Sequence, residues 1–326
     1  GGGRRLGGAR GGSAGLGMGE AEAERLLRRT EKLLGVSLLA LRMKPDYDQA
    51  GPLLEQAARG FQRSGRPARA ADAFKRASAV QERLGSGWHA AKHLEAAAQC
   101  TIEARGDARE VRDLYTGAMM AYAEAGRAQA GAECLARGAR AVAPLEGGRA
   151  LSRALLEDAV GLFEDQADGG SALGAVQGDE TFREAVQWHL ESEDWEAAAG
   201  MLVRWGAFSA ASKQPRAMGK AYLGAVAVFL YAGRGRDAMA TLGDCGMVEG
   251  FAGRGAEMAD GLMDAVRLGD QKELEQFLQQ SGILREVDNN VARLLKKLAK
   301  RPGLDALAEQ LGGGVRNLVL DEDDLT

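Results

Sequence analysis

The 326-residue chain is 45% hydrophobic and 27% charged, the balance of a folded protein of one or two domains. Its 6 prolines and 5% aromatic residues argue against a β-sandwich or barrel and favour long helices. The formal charge is −4, and four of the acids are Asp321, Glu322, Asp323 and Asp324, so the body is balanced and lacks the basic excess of a nucleic-acid binder.

Residues 1–17 are mostly glycine, with Arg4, Arg5 and Arg10 and no acid. They read as a disordered linker, a transit peptide or a translated upstream region, and Met18 is expected as the biological start. The first helical pattern follows Met18. It gives way to the apolar run Val36, Leu38, Leu39, Leu41 and Met43 just ahead of Pro45, where helix is disfavoured and the chain is expected to turn.

From there a period emerges. Gly65, Gly85, Gly106 and Gly126 are spaced about twenty residues apart, each between two runs of helix formers. Glycine just past a helix end accepts a positive φ without a Cβ clash, and Ser86 and Asp107 are placed to cap the next helix. Between the glycines, apolar residues recur at helical spacing. They are Leu54, Ala57, Ala58 and Phe61, then Ala70, Ala73, Phe74 and Ala77, then Tyr115, Ala118, Met119 and Tyr122. Two such helices make a unit of about forty residues, an elongated version of the tetratricopeptide (TPR) repeat. One pair cannot bury its stripe alone, whereas a stack builds a continuous core and a curved surface.

The phase weakens after Pro144. A helix is expected over 151–163, a glycine-rich loop or insertion over 168–179, and helices again over 181–192, 195–208 and 216–231. The apolar run 222–232 is too short to span a bilayer and reads as a buried helix. Gly233 and Gly235 mark a turn, and shorter helices cover 256–268, 271–280 and 287–300. The predicted architecture is all-α: a right-handed TPR-like solenoid of antiparallel helix pairs over 18–245, a C-terminal helical cap over 246–311, and a flexible acidic tail over 312–326.

No constellation for catalysis stands out. Cys100, Cys134 and Cys245 are scattered and odd in number, which fits a reducing compartment and neither a disulfide framework nor a zinc knuckle. There is no phosphate loop, and the N-terminal glycines, Gly11-Gly12-Ser13-Ala14-Gly15 among them, lack the strand–helix context that would make a Gly-rich loop meaningful. His89 and His93 share a helix side, but Ala90 stands where a zinc protease carries its glutamate, and position 93 falls on the apolar side. His189 beside Trp188 reads as local packing. No enzyme activity, metal or cofactor is expected.

Three features remain for binding. The run with Val36, Leu38, Leu39 and Leu41 either packs into the first repeat or is a loop that dips into a membrane, a weak anchor useful only beside a second attachment. The helix with Val287, Val291, Leu294, Leu295 and Leu298 carries Arg293, Lys296, Lys297, Lys300 and Arg301 on other faces. It is either a packed helix with a solvated face or a basic amphipathic helix that meets an acidic partner or a membrane surface. The end, Asp321 to Asp324 followed by Leu325, is either a solubilising tail or a docking peptide that charge steers and leucine anchors.

The run Lys44-Pro45-Asp46-Tyr47-Asp48-Gln49-Ala50, followed by Glu55, Ala57, Ala58 and Phe61, resembles the second helix of soluble NSF attachment proteins, especially the gamma type. Trp88-His89-Ala90-Ala91-Lys92 with Glu95-Ala96-Ala97 is similar to the family's fourth helix, and Gly250-Phe251 before Glu257 to its C-terminal region. The acidic tail with a penultimate leucine matches the family's ending. The resemblance runs from about residue 20 to 326, and its more specific parts are Lys44–Asp48 and the tail.

The resemblance implies an adaptor that binds syntaxin-type SNARE complexes and recruits the N-ethylmaleimide-sensitive factor, an AAA+ ATPase, for SNARE disassembly in vesicle fusion and intracellular transport. It implies a peripheral protein on the cytosolic face of endomembranes. Asp321, Glu322, Asp323, Asp324 and Leu325 would meet the ATPase, and Val36, Leu38, Leu39 and Leu41 the membrane. The chain departs from the family in three places: residues 1–17, the glycine-rich 168–179 stretch, and a membrane-loop position without aromatics. The competing reading is a TPR-like co-chaperone that clamps peptide carboxylates. It is disfavoured because asparagine occurs only at Asn289, Asn290 and Asn317, outside the repeats.

Overall fold

A computed structural model describes residues 12–35, 44–168, 171–251 and 253–313. Among them are 16 α-helices and no strand, so the fold is all-α and TPR-like. The chain divides into two compact units, Gly1–Leu162 and Phe163–Thr326.

The first unit holds α1 (Gly12–Leu34), α2 (Tyr47–Arg63), α3 (Pro67–Arg83), α4 (Gly87–Glu103), α5 (Ala108–Glu124), α6 (Ala128–Val142) and most of α7 (Gly148–Glu164). Each of α1 to α6 packs on its sequence neighbour. From α2 onward the short connections enforce this, because a chain that reverses in three or four residues has no other surface within reach. Close approach is possible because the contacts are small: Ala50, Ala57, Ala58, Ala70, Ala77, Ala90, Ala97 and Ala118 are fully buried. Large residues such as Leu54, Phe61 and Tyr122 fill the spaces between. Of the predicted stripe on α5, Met119 is only half-buried, and Leu114 is buried in its place.

One turn is used repeatedly. Gly65 has φ +67, its amide donates to Gln62 O at 3.0 Å, and the next amide, of Arg66, reaches back to Phe61 O at 2.9 Å. This is a Schellman ending, in which a left-handed residue satisfies the last helical carbonyls. Gly85 and Gly126 repeat it. Gly106 does not. The left-handed residue there is Arg105, with φ 57, and Gly106 follows it. Gly106 is needed for space, since a Cβ on it would lie 2.5 Å from Thr101 Cγ2. Asp107 caps α5 as expected, accepting from the Arg109 amide at 2.8 Å. Ser86 occupies the N-cap of α4 without capping it, and its hydroxyl pairs instead with His89 Nδ1 at 2.7 Å.

In the second unit, α8 (Ala172–Glu191), α9 (Trp195–Ala211), α10 (Pro215–Tyr231) and α11 (Gly235–Gly246) continue the pattern. The turns that follow α8, α9 and α10 place Glu193, Lys213 and Gly233 at φ 55, 57 and 77. The period therefore persists, but two of its three markers are not glycine. The expected loop over 168–179 is corrected, because α8 begins at Ala172, capped by Ser171, whose hydroxyl accepts from the Gly174 amide at 3.0 Å. Its glycines serve packing: a Cβ on Gly178 would lie 2.4 Å from the Phe208 ring. The helix α11 was also absent from the sequence reading.

The helix α10 is the centre of this unit, with an unbroken buried run from Ala221 to Val228. It packs against α9, α11, α12 (Arg254–Arg267) and α15 (Asn289–Leu298). The helices α13 (Gln271–Gln280), α14 (Ile283–Glu286) and α16 (Leu304–Gln310) pack around α12 and α15. A helix apolar on all sides has to be surrounded. Among the described residues no helix is long and apolar enough to cross a membrane.

Candidate partner-binding surfaces

The ladder of ion pairs shows which helices share a layer. Arg66 meets Glu20 at 3.0 Å, Arg76 meets Glu31 at 3.6 Å, and Arg69 pairs with Glu24, all joining α1 to the start and face of α3. Lys75 meets Glu110 at 2.6 Å, joining α3 to α5. Arg137 meets Glu95 at 2.9 Å, joining α4 to α6. Arg204 meets Glu164 at 2.6 Å in the second unit. These partners stand about one repeat apart in sequence, 46 residues for the first and 42 and 40 for the last two. The exposed pairs among these contribute roughly 0–1 kcal/mol each, so they act on register more than on stability; Glu95, with its side chain 16% exposed, is the partly buried exception.

The face formed by α2, α4 and α6 carries the densest polar and aromatic cluster of the first unit. Helical spacing puts Trp88, Lys92 and Glu95 on one side of α4. The Lys92 ammonium lies 5.9 Å from the Trp88 ring centre and 5.7 Å from that of Tyr122. Glu95 accepts from the Tyr122 hydroxyl at 2.6 Å and from Arg137 at 2.9 Å. Burial alone would push the Glu95 carboxyl up, but the Tyr122 hydroxyl, Arg137 and Lys92 outweigh it and hold the group below its ordinary range. An open groove of about 440 Å³ runs beside it, lined by Arg59, Phe74, Trp88, His89, Lys92 and His93 among others. Trp88 is 46% exposed at its edge. Exposed tryptophan flanked by cations is the composition of an interface anchor.

The histidines divide. His93 is buried and stacked on Phe74 with ring centres 5.9 Å apart. Burial is the main reason its pKa is lowered, helped by His89 and Arg59 and opposed by Glu55. His89 stays at the surface, edge-on to Trp88 at 4.9 Å. Among the described residues no cluster of three or more His, Cys, Asp or Glu is placed to hold a metal. His189 is buried edge-on to Trp188 at 5.5 Å.

The basic helix 287–300 is shortened to α15. Val287, Val291, Leu294, Leu295 and Leu298 are all buried, so its apolar stripe belongs to the core. Arg293, Lys296, Lys297 and Lys300 stay exposed. Arg301 donates to Tyr231 O and lies over the Tyr231 ring. The tail residues Asp321, Glu322, Asp323, Asp324 and Leu325 and the apolar run Val36, Leu38, Leu39 and Leu41 lie outside the described residues. The flanks of that run are described: the Asp46 amide donates to Leu33 O at 3.0 Å, so the chain returns to where it left.

The sequence reading missed the contacts of Glu95 with Tyr122 and Arg137. The only signal available was the repeat itself, since a separation of 42 residues is close to one unit.

Known proteins were compared with this chain. A family model described as soluble NSF attachment protein, SNAP, matches residues 20–301. A gamma-soluble NSF attachment protein of Arabidopsis thaliana is 30% identical over 307 residues, 94% of this chain and 99% of that protein. Among solved structures, BtubC (BKLC) from P. vanneervenii aligns at a TM-score of 0.35 with 18% identity, covering 72% of this chain and 90% of that one. A circular tandem repeat protein aligns at 0.25 with 15% identity, covering 91% and 87%. The helix order and the repeated left-handed turn define the fold.

Proposed function

This chain belongs to the soluble NSF attachment protein family, and on that premise we propose that it binds SNARE bundles and recruits the N-ethylmaleimide-sensitive factor to disassemble them. The observation that carries this reading is the extent of the likeness. A relative is matched over 99% of its own length and 94% of this chain, rather than at one local motif. The chain works through its partners and without an active site of its own, on the cytosolic face of endomembranes. The face of α2, α4 and α6, with Trp88 at its groove, supports the reading because it offers an aromatic anchor among cations to an acidic helical rod. Asp321 to Asp324 steer the tail to the ATPase and Leu325 anchors it. Val36, Leu38, Leu39 and Leu41 make the weak membrane contact.

The test is the ATPase rate of purified N-ethylmaleimide-sensitive factor over immobilised protein. Wild type should stimulate it, and Leu325→Ala should lose most of the stimulation. Folded wild type that binds neither SNARE bundles nor the ATPase would overturn the adaptor reading.

A further inference from the structure

The second unit contains a small cavity of about 230 Å³ between the first turns of α10 and α12, with α14 at its side. Three cations line it, Arg216 and Lys220 from α10 and Arg254 from α12, against one carboxylate, Glu286. Arg254 lies 3.5 Å from Glu286. Arg216 and Lys220 are exposed and have no ion-pair partner among the described residues. They stand four apart on one helix face, where like charges repel, and Arg254 adds a third positive group across the gap. The cavity therefore carries a net positive charge that nothing described in the protein neutralises.

Its floor is backbone. Gly219 and Gly255 cross so closely that a Cβ on Gly255 would lie 2.9 Å from Gly219 Cα. A side chain at position 255 cannot occupy that crossing, whereas a Cβ on Gly219 would lie 3.6 Å from Gly255 Cα, in ordinary contact. The first helical bond of α12 runs from Glu257 N to Gly253 O at 3.0 Å, and Gly253 supplies no side-chain cap. The amides of Arg254 and Gly255, two residues that line the cavity, thus precede the helical ladder, while the charge of the site comes from the side chains.

We propose that this cavity binds a phosphate monoester anion, carried on a lipid headgroup or free in solution. Its volume lies below the roughly 300–1,000 Å³ of drug-sized sites and suits a compact group. Cations on more than one side match an oxyanion with several charged oxygens better than a carboxylate, which offers two in one plane. The inference does not depend on the adaptor reading.

Calorimetric titration of the full chain with inositol trisphosphate tests it, alongside flotation with phosphatidylcholine vesicles containing phosphatidylinositol bisphosphate or phosphatidylserine at matched charge. Saturable binding of inositol trisphosphate is expected. The double variant Arg216→Ala, Lys220→Ala should weaken it about tenfold or more, the loss of one or two charge-assisted bonds. Arg236→Ala, an exposed cation outside the cavity, should leave it unchanged. Flotation with the bisphosphate vesicles that inositol trisphosphate displaces identifies a lipid source. Binding of the soluble compound without flotation identifies a free one. The proposal fails if wild type shows no saturable binding, if Arg236→Ala weakens it equally, or if phosphatidylserine vesicles bind as well as bisphosphate ones. It also fails if the double variant loses only SNARE-bundle binding, which would make the cavity a protein contact.

Discussion

Glu95 and Arg137 are 42 residues apart in the chain and meet at 2.9 Å, and the carboxylate also accepts from the Tyr122 hydroxyl of α5 at 2.6 Å and from Lys92 at 3.3 Å. Three successive helices are thus tied at one half-buried charge. Glu95→Gln should destabilise the first unit by about 1–3 kcal/mol, the usual cost of weakening charged bonds at a partly desolvated site. The pH dependence follows from the sign. A carboxyl held below its ordinary 4.5 contributes stability that is present above that value and lost as pH falls through the folded value. Wild-type thermal stability should therefore drop faster than that of Glu95→Gln in this acid window. Parallel profiles would show that the charge does not matter.

His93 titrates in a different window. Its pKa is lowered, so the unfolded chain binds a proton more readily than the folded one. Stability should fall as pH drops below about 6.5, and His93→Phe should flatten that part of the profile. Unfolding scans between neutral pH and pH 5 would reveal it.

Arg105, Glu193 and Lys213 hold the left-handed position that glycine holds in the other turns. An L-residue there costs roughly 1–2 kcal/mol, part of which glycine gives back through its freer unfolded state. Each change to glycine should raise stability by about 0.5–1 kcal/mol. The melting temperature should rise by about 1–3 °C per change, additively.

Glycine to alanine should change sign with position. At Gly178 the new Cβ would meet the Phe208 ring, and overpacking should cost about 1–3 kcal/mol. At Gly200, an exposed site on α9 with nothing within 4 Å, the same change should gain up to about 1 kcal/mol in helix propensity. Chemical denaturation of the two variants checks both.

Burial pushes the thiols of Cys100 up to about 11 and of Cys134 and Cys245 up to about 12. At neutral pH almost no thiolate forms. Ellman's reagent should label the folded chain at least about a hundredfold more slowly than the chain in guanidinium.

Much of the fold was legible because Gly65, Gly85 and Gly126 advertise their turns. The second half of the period was hidden because Glu193 and Lys213 do the same conformational work without the residue type that signals it. The glycines of α8 misled in the opposite direction. Gly178 admits a ring and does not break the helix, a distinction that depends on what lies opposite and that no local pattern encodes. The basic helix left two readings open for its charged face, and the burial of Leu294 and Leu298 places its apolar stripe in the core. The Trp88 and Glu95 cluster was invisible because its members come from three helices. For the tail and the run at 36–41 local chemistry left a binding role open beside a bland one, and the family likeness supplied the partners.

The backbone bond from the Asp46 amide to the Leu33 carbonyl closes the α1–α2 hairpin at its own ends. Doubling the length of chain between those two residues would cost only about 0.6 kcal/mol of closure entropy. The pairing of α1 with α2 can therefore absorb insertions between Leu33 and Asp46 that the three-residue turn 64–66 could not.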